Sequence, residues 1–121
     1  MKKKILGLVG TLEVELKGTD DIAVLELSGQ IDSYTSEVIT NIIDSHINKG
    51  NLKIIVDLTN IDYLDSAGLG AFINAKTKLG ASKGELRLVG LKGKAKEVFD
   101  LACLTDFFKV FESREQAFEN F

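Results

Sequence analysis

A chain of 121 residues with 45% hydrophobic and 27% charged side chains has the make-up of one folded domain. Its formal net charge of −3, from 15 basic and 18 acidic residues, offers no electrostatic footprint for nucleic acid. A single cysteine, Cys103, excludes an internal disulfide and fits a reducing compartment.

The chain opens with Lys2-Lys3-Lys4, read as solvated charge, and an apolar run of about six residues. That run is shorter than the ~7–15 residues of a secretory signal core, and an acidic amphipathic segment follows it. No stretch approaches the ~18–20 apolar residues that span a bilayer, so a cytoplasmic protein without membrane insertion is expected. Residues 1–10 read as an N-terminal extension or an extra strand, ahead of one domain over residues 11–121.

With no proline in the chain, glycine supplies most of the punctuation. Thr11 to Leu16 alternates Leu12, Val14 and Leu16 with Glu13 and Glu15, the pattern of a half-buried strand. Lys17 to Asp21 has turn composition, and Ile22 to Ser28 forms a second strand closed by Gly29, giving an antiparallel hairpin. From Ser33 to Lys49 the period becomes helical, with Val38, Ile39, Ile42, Ile43 and Ile47 on one face. Asp32 or Ser33 can cap its start, and Gly50 suits the left-handed position past its end. Leu52 to Leu58 is almost continuously apolar before Asp57, as in a strand covered on both faces. An acidic loop is expected next, leading to a helix from Ser66 to Leu79 that buries Leu69, Phe72, Ile73 and Leu79 and ends at Gly80. Glu85 to Val89 reads as a strand, Lys94 to Ala102 as a helix, Phe107 to Phe111 as a short strand, and Ser113 to Phe121 as a last helix opened by the Ser113/Gln116 capping box. The succession β-β-α-β-α-β-α-β-α predicts an α/β domain. Its mixed sheet would join an N-terminal hairpin to parallel strands, with about four helices.

Polar chemistry concentrates around Ser66, where the acidic loop meets the helix. A nucleophilic serine needs a general base, and the one histidine, His46, falls late in the first helix, where it suits the helix C-terminus. The glycine before Ser66 that a nucleophile elbow requires is missing. Asp57, Asp62 and Asp65 are the only acidic set with a conceivable magnesium role, and their spacing is not that of a calcium loop; no metal site is expected. Ala67-Gly-Leu-Gly70 lacks the lysine of a phosphate-binding loop, so Gly68 and Gly70 are read as residues of close helix–sheet packing and a tight turn. Cys103, among Leu101, Ala102 and Leu104, reads as a small buried hydrophobe. No cofactor and no catalytic residue is expected. Ser66 fits better as a substrate: a phosphate there would add about −1.5 to −2 charge at the positive end of a helix, beside Asp62 and Asp65.

Asp65-Ser-Ala-Gly-Leu-Gly70, after the strand ending Val56-Asp-Leu-Thr59, closely resembles the STAS domain of bacterial anti-sigma factor antagonists. Gly29-Gln-Ile-Asp32 is similar to that family's Gly-x-[Leu/Ile]-Asp at the end of its second strand. Val98 to Leu104 and Phe108 to Ala117 resemble its final helix, strand and helix. The resemblance covers residues 11–121 and implies a phosphorylatable binding module rather than an enzyme. By position, Ser66 would be phosphorylated by an anti-sigma factor that is also an ATP-dependent serine kinase, and a PP2C-type phosphatase would reverse the mark. The unphosphorylated form would bind that anti-sigma factor and free a sigma factor. Asp32, Asp65, Ala67, Gly68 and Leu69 would surround the phosphosite and face the partner. The family also implies an alternative, a STAS accessory or scaffold subunit of a stress-signalling or transport complex. A third reading makes the acidic loop a Mg-nucleotide hydrolysis site, which lacks a phosphate-binding lysine. The chain departs from many members at Ala67, where a second hydroxyl residue is common, and at Cys103, where glycine is.

Overall fold

The computed structural model describes residues 4–9, 12–19 and 21–121. Lys2 and Lys3 of the lysine run, Thr11 at the start of the expected first strand, and Asp20 of the expected turn lie outside the described residues. Among the described residues the strands form one six-stranded sheet in sequential order. These are β1 (Lys4–Val9), β2 (Leu12–Gly18), β3 (Ala23–Ile31), β4 (Lys53–Leu64), β5 (Glu85–Val89) and β6 (Lys109–Phe111). β1 to β3 pair antiparallel, and β3 to β6 pair parallel. The helices are α1 (Thr35–Asn48), α2 (Ser66–Ala81), α3 (Gly93–Leu101) and α4 (Arg114–Phe118). From β2 to α4 the succession is the expected one. Residues 4–9 add a strand at the sheet edge.

Each parallel crossover steps one strand in the same direction. Right-handed connections therefore place α1, α2 and α3 on one face of the sheet. Strand alternation sends Leu12, Val14, Leu25, Leu27, Val56 and Leu88 to that face, where they pack with Ile39 and Ile43 of α1, Phe72 and Leu79 of α2 and Phe99 of α3. The opposite face carries Val24, Ile55 and Val89 against Ala117 of α4, with Phe111, Phe118 and Phe121 around them. β4 is thus covered on both sides, as its sequence indicates.

That second face also holds a row of carboxylates. Glu15 lies opposite Glu26, and Glu26 opposite Asp57, across three neighbouring strands. Like charges so placed repel. Arg114, at the first position of α4, resolves the conflict: its Nε donates to Asp57 Oδ2 at 2.8 Å and its Nη2 to Glu26. Lys17 Nζ lies 2.9 Å from Glu26 and 3.9 Å from Glu15. Thr59 donates its amide (2.9 Å) and hydroxyl (2.6 Å) to the other oxygen of Asp57. Arg87, buried in the same face, binds the carbonyls of Ala117 (2.9 Å), Glu119 (2.7 Å) and Asn120 (3.2 Å), so the end of α4 is fixed as well.

Four expectations need correction. The segment after Leu58 is not a loop: β4 runs on to Leu64 because β3 runs past Gly29 to Ile31, and the two stay paired as far as Ile31 and Leu64. Gly80 does not end α2, which continues to Ala81 before turning through Ser82. The segment expected as a strand from Phe107 begins instead with a 3-10 turn over Thr105–Phe107, and β6 starts at Lys109. Cys103 is exposed, not buried: α3 stops at Leu101, Cys103 takes the left-handed conformation that turns the chain (φ 58°), and Leu104 packs on the core instead. Gly50, by contrast, holds the expected left-handed place after α1 (φ 81°).

Arg114→Ala would leave Asp57 buried without its cation. Its expected cost is about 2–3 kcal/mol, moderated by the Thr59 bonds that remain, and is read from urea unfolding midpoints.

Candidate functional site

β3 and β4 end side by side. Ile31 pairs with Leu64, and the Asp65 amide donates to the Ile31 carbonyl at 3.2 Å. Asp32 and Asp65, one residue further on each strand, therefore open two neighbouring helices at the same edge of the molecule. Their local geometry matches. Asp65 Oδ1 accepts the amides of Ala67 (3.0 Å) and Gly68 (3.1 Å), and its carbonyl accepts the Leu69 amide (3.0 Å). Asp32 Oδ1 accepts the amides of Tyr34 (2.9 Å) and Thr35 (2.9 Å), and its carbonyl accepts the Ser36 amide (2.9 Å). Each carboxylate satisfies two of the amides that a helix start leaves free and supplies negative charge to the helix dipole. Thr35 reinforces the Asp32 turn: its hydroxyl donates to the Gln30 carbonyl at 2.9 Å and lies 3.2 Å from Asp32 Oδ1.

The Thr35 amide, above all, holds Asp32 below the usual carboxylate range. Desolvation opposes it, and the Thr35 hydroxyl and Tyr34 amide add to it.

Ser66 is the first residue of α2 and is exposed. Its hydroxyl makes no hydrogen bond among the described residues, so it is presented to solvent with nothing to displace. The amides of Ala67 and Gly68 are already taken by Asp65. A phosphate on Ser66 would thus meet the field of the helix rather than free amides, and would stand beside the Asp65 carboxylate.

The other site residues divide by burial. Ala67 is half-buried and lines a groove between α1 and α2. Gly68 and Leu69 are buried. A Cβ on Gly68 would come within 2.6 Å of methyls of both Ile31 and Leu64, so glycine is what lets α2 start against the two strand ends. Leu69 belongs to the core. Gly70 does not serve helix–sheet packing as expected: a Cβ there meets nothing within 4 Å, and the residue opens the groove instead. This groove, about 430 Å³, is bordered by Glu37, Thr40 and Asn41 of α1 and by Ala67, Gly70 and Asn74 of α2. Sequence reasoning missed those α1 residues, which lie on the polar face of that helix. It also missed Tyr34, two residues after Asp32, and Tyr63, two before Asp65, which are 66% and 44% exposed. A large aromatic directly after Asp32-Ser33, off the apolar stripe of α1, is the available signal for Tyr34.

The residues considered for catalysis or metal binding do not converge. His46 lies in the last turn of α1, its Nδ1 2.9 Å from the Ile42 carbonyl. It is more than three helical turns, roughly 20 Å, from Asp32. Asp57 sits on the α4 face with Arg114, Asp62 is exposed on β4, and Asp65 is committed to α2. Among the described residues no group of three or more His, Cys, Asp or Glu is placed to hold a metal ion, and no helix is long and apolar enough to cross a membrane.

The fold matches known proteins. The STAS domain family model matches residues 13–117, and the chain belongs to that family. It is 30% identical over 100 residues to the anti-sigma-B factor antagonist of Listeria monocytogenes, covering 83% of this chain and 87% of that one. It is 28% identical over 104 residues to the Staphylococcus aureus protein of the same name, covering 86% and 96%. Among solved structures, a candidate anti-sigma factor antagonist from Thermotoga maritima superposes with a TM-score of 0.76 at 26% identity, over 86% of this chain and 90% of that one. The Bacillus cell fate determinant SpoIIAA in its phosphorylated form shares the fold, with a TM-score of 0.68 at 24% identity over 85% and 95%.

Two outcomes follow from the caps. Asp65→Ala removes both bonds to α2 and is expected to cost about 1 kcal/mol in urea unfolding, whereas Asp65→Asn, which keeps an acceptor, costs less. Asp32 has a lowered folded-state pKa. Its contribution to stability is therefore complete above the carboxylate value of the unfolded chain and is lost as pH falls through the folded value. Unfolding measured across the acidic range is expected to show a shallower pH slope for Asp32→Asn than for wild type.

Proposed function

We propose that this chain is an anti-sigma factor antagonist whose partner binding is switched by phosphorylation of Ser66. One observation carries the reading: Ser66 is an exposed, unengaged hydroxyl at the start of α2, locked in position by the Asp65 cap behind it. In its unphosphorylated form the chain binds an anti-sigma factor, itself a serine kinase, and so frees a sigma factor. The contact surface runs over Asp32, Ser66 and Ala67 and the groove between α1 and α2, with Tyr34 and Tyr63 at its margins.

The relatives named anti-sigma-B factor antagonists support the role, and SpoIIAA, solved in a phosphorylated form, supports the switch. Phosphate adds about −1.5 to −2 charge. At Ser66 that charge joins Asp65 and Asp32, already on the same edge. The backbone that caps α2 is held by Asp65, so modification changes the charge offered to the partner while the fold stays as it is. Like-charge repulsion and the desolvation of a phosphate at the interface then release the anti-sigma factor. A PP2C-type phosphatase restores the binding form. The chain acts as substrate and ligand, not as an enzyme.

Binding to the anti-sigma factor by titration calorimetry tests this. Ser66→Asp is expected to lose at least tenfold in affinity, about 1.4 kcal/mol or more. Ser66→Ala, which removes only the acceptor oxygen, keeps the wild-type value. Wild-type affinity in Ser66→Asp would refute the charge switch.

A further inference from the structure

Three glycines fall within α2, and the structure accounts for two of them. Gly68 lets the helix start against Ile31 and Leu64, where a Cβ would come within 2.6 Å of a methyl on each. Gly80 is the residue before the helix ends at Ala81, where the chain is about to turn. Gly70 has neither reason. It lies inside the helix, outside the left-handed region, and a Cβ there would meet nothing within 4 Å. Glycine in a helix interior is destabilising relative to alanine, because it gives up more backbone freedom on folding. Gly70 therefore weakens α2, and nothing inside the chain requires it.

What Gly70 borders is the groove between α1 and α2. It follows Ser66 by four residues, which places it one helical turn, about 6 Å, further along α2 on the same face. Glu37 and Asn41 of α1 and Asn74 of α2 also border the groove. All three are exposed, and none of their side chains makes a hydrogen bond or ion pair among the described residues. The groove thus combines space of about 430 Å³, a bare stretch of helix backbone and polar groups whose hydrogen-bonding capacity the chain leaves unused. A protein that engages the Ser66 hydroxyl comes within one helical turn of all this.

We infer that Gly70 is a contact residue for the anti-sigma factor, whose surface packs directly on the α2 backbone in the groove beside Ser66. The inference rests on the proposed function and deepens it. The segment that enters has the chemistry of the groove: donors for the Glu37 carboxylate, and groups that both donate and accept for the amides of Asn41 and Asn74. Those bonds need close approach. A side chain at residue 70 would hold the segment away from the groove, and a hydrogen bond stretched to about 3.6 Å is lost. Ser66 and the capping aspartates supply the switch, while Gly70 sets how deeply the partner seats.

Stability and affinity are expected to move in opposite directions, and that is the test. Melting temperature and titration calorimetry with the anti-sigma factor are measured on Gly70→Ala, Gly70→Leu and Gly80→Ala. Gly70→Ala is expected to melt roughly 2–5 °C above wild type, yet to bind at least fivefold more weakly. Gly70→Leu, with a bulkier side chain and no clash inside the chain, keeps at least the wild-type melting temperature and loses more than fiftyfold in affinity. Gly80→Ala, on the same helix but off the groove, keeps the wild-type affinity. Wild-type affinity in both Gly70 variants overturns the inference and leaves the proposed function standing. A lower melting temperature for Gly70→Ala shows that the fold itself needs the glycine, and overturns it too. An equal loss of affinity in Gly80→Ala makes the effect one of stiffening α2, and also overturns it. Absence of binding by the wild type overturns the proposed function and the inference with it.

Discussion

The parallel pairing of β3 with β4, carried through to Ile31 and Leu64, is the constraint on which the rest depends. It makes two strands leave the sheet at the same height. Each then turns into a helix at an aspartate, and the Asp65 amide is tied back to the Ile31 carbonyl across the pair. Gly68 lets α2 begin directly against both strand ends, since any larger residue would strike Ile31 and Leu64. One β-pairing thus sets the position of Asp32, Asp65, Ser33, Ser66 and the mouth of the groove between α1 and α2. No side chain has to reach across the site to hold it together.

The same strands show two ways of accommodating carboxylates. On the α4 face, Glu15, Glu26 and Asp57 are opposite one another and largely removed from water. They are tolerated because Arg114 and Lys17 stand among them. At the strand ends, Asp32 and Asp65 are stabilised by backbone amides that are otherwise unpaired, with the Thr35 hydroxyl added at Asp32. The first solution ties the last helix to the sheet. Among the described residues the cap and the groove lining hold no lysine or arginine, so a phosphate added there finds none among them to absorb it. In the proposed switch its charge is offered to the partner. A module that must change its affinity without changing its shape is served by this division: structural charges are compensated inside the molecule, and switching charges are not.

How much of this was legible depended on the range of the interaction. Ser66 at the first turn of α2, the left-handed Gly50 and the strand Glu85–Val89 are all set by residues a few positions apart, and their sequence signals are correct. Thr59 to Leu64 has turn-like composition and reads as a loop. It is a strand because β3 continues beside it, a fact held more than thirty positions upstream. Arg114 is silent in the sequence for the same reason: its partners Asp57 and Glu26 are 57 and 88 positions away. The apolar neighbours of Cys103 suggest burial, whereas the turn after α3 needs a left-handed residue at that point and leaves its side chain exposed. Leu69 reads as part of the phosphosite surroundings from its place in the motif, and its burial in the core shows that it supports the start of α2 from within.

The central claim is that charge added at the end of β4 releases a partner while the fold stays intact. It is tested most directly by preparing the chain stoichiometrically phosphorylated on Ser66. Its affinity for the anti-sigma factor and its amide NMR spectrum are then measured against the unmodified protein. The account predicts an affinity at least tenfold lower, with chemical-shift changes confined to the first turn of α2 and its immediate neighbours. Unchanged affinity, or shifts spread through the sheet and α4, would contradict it.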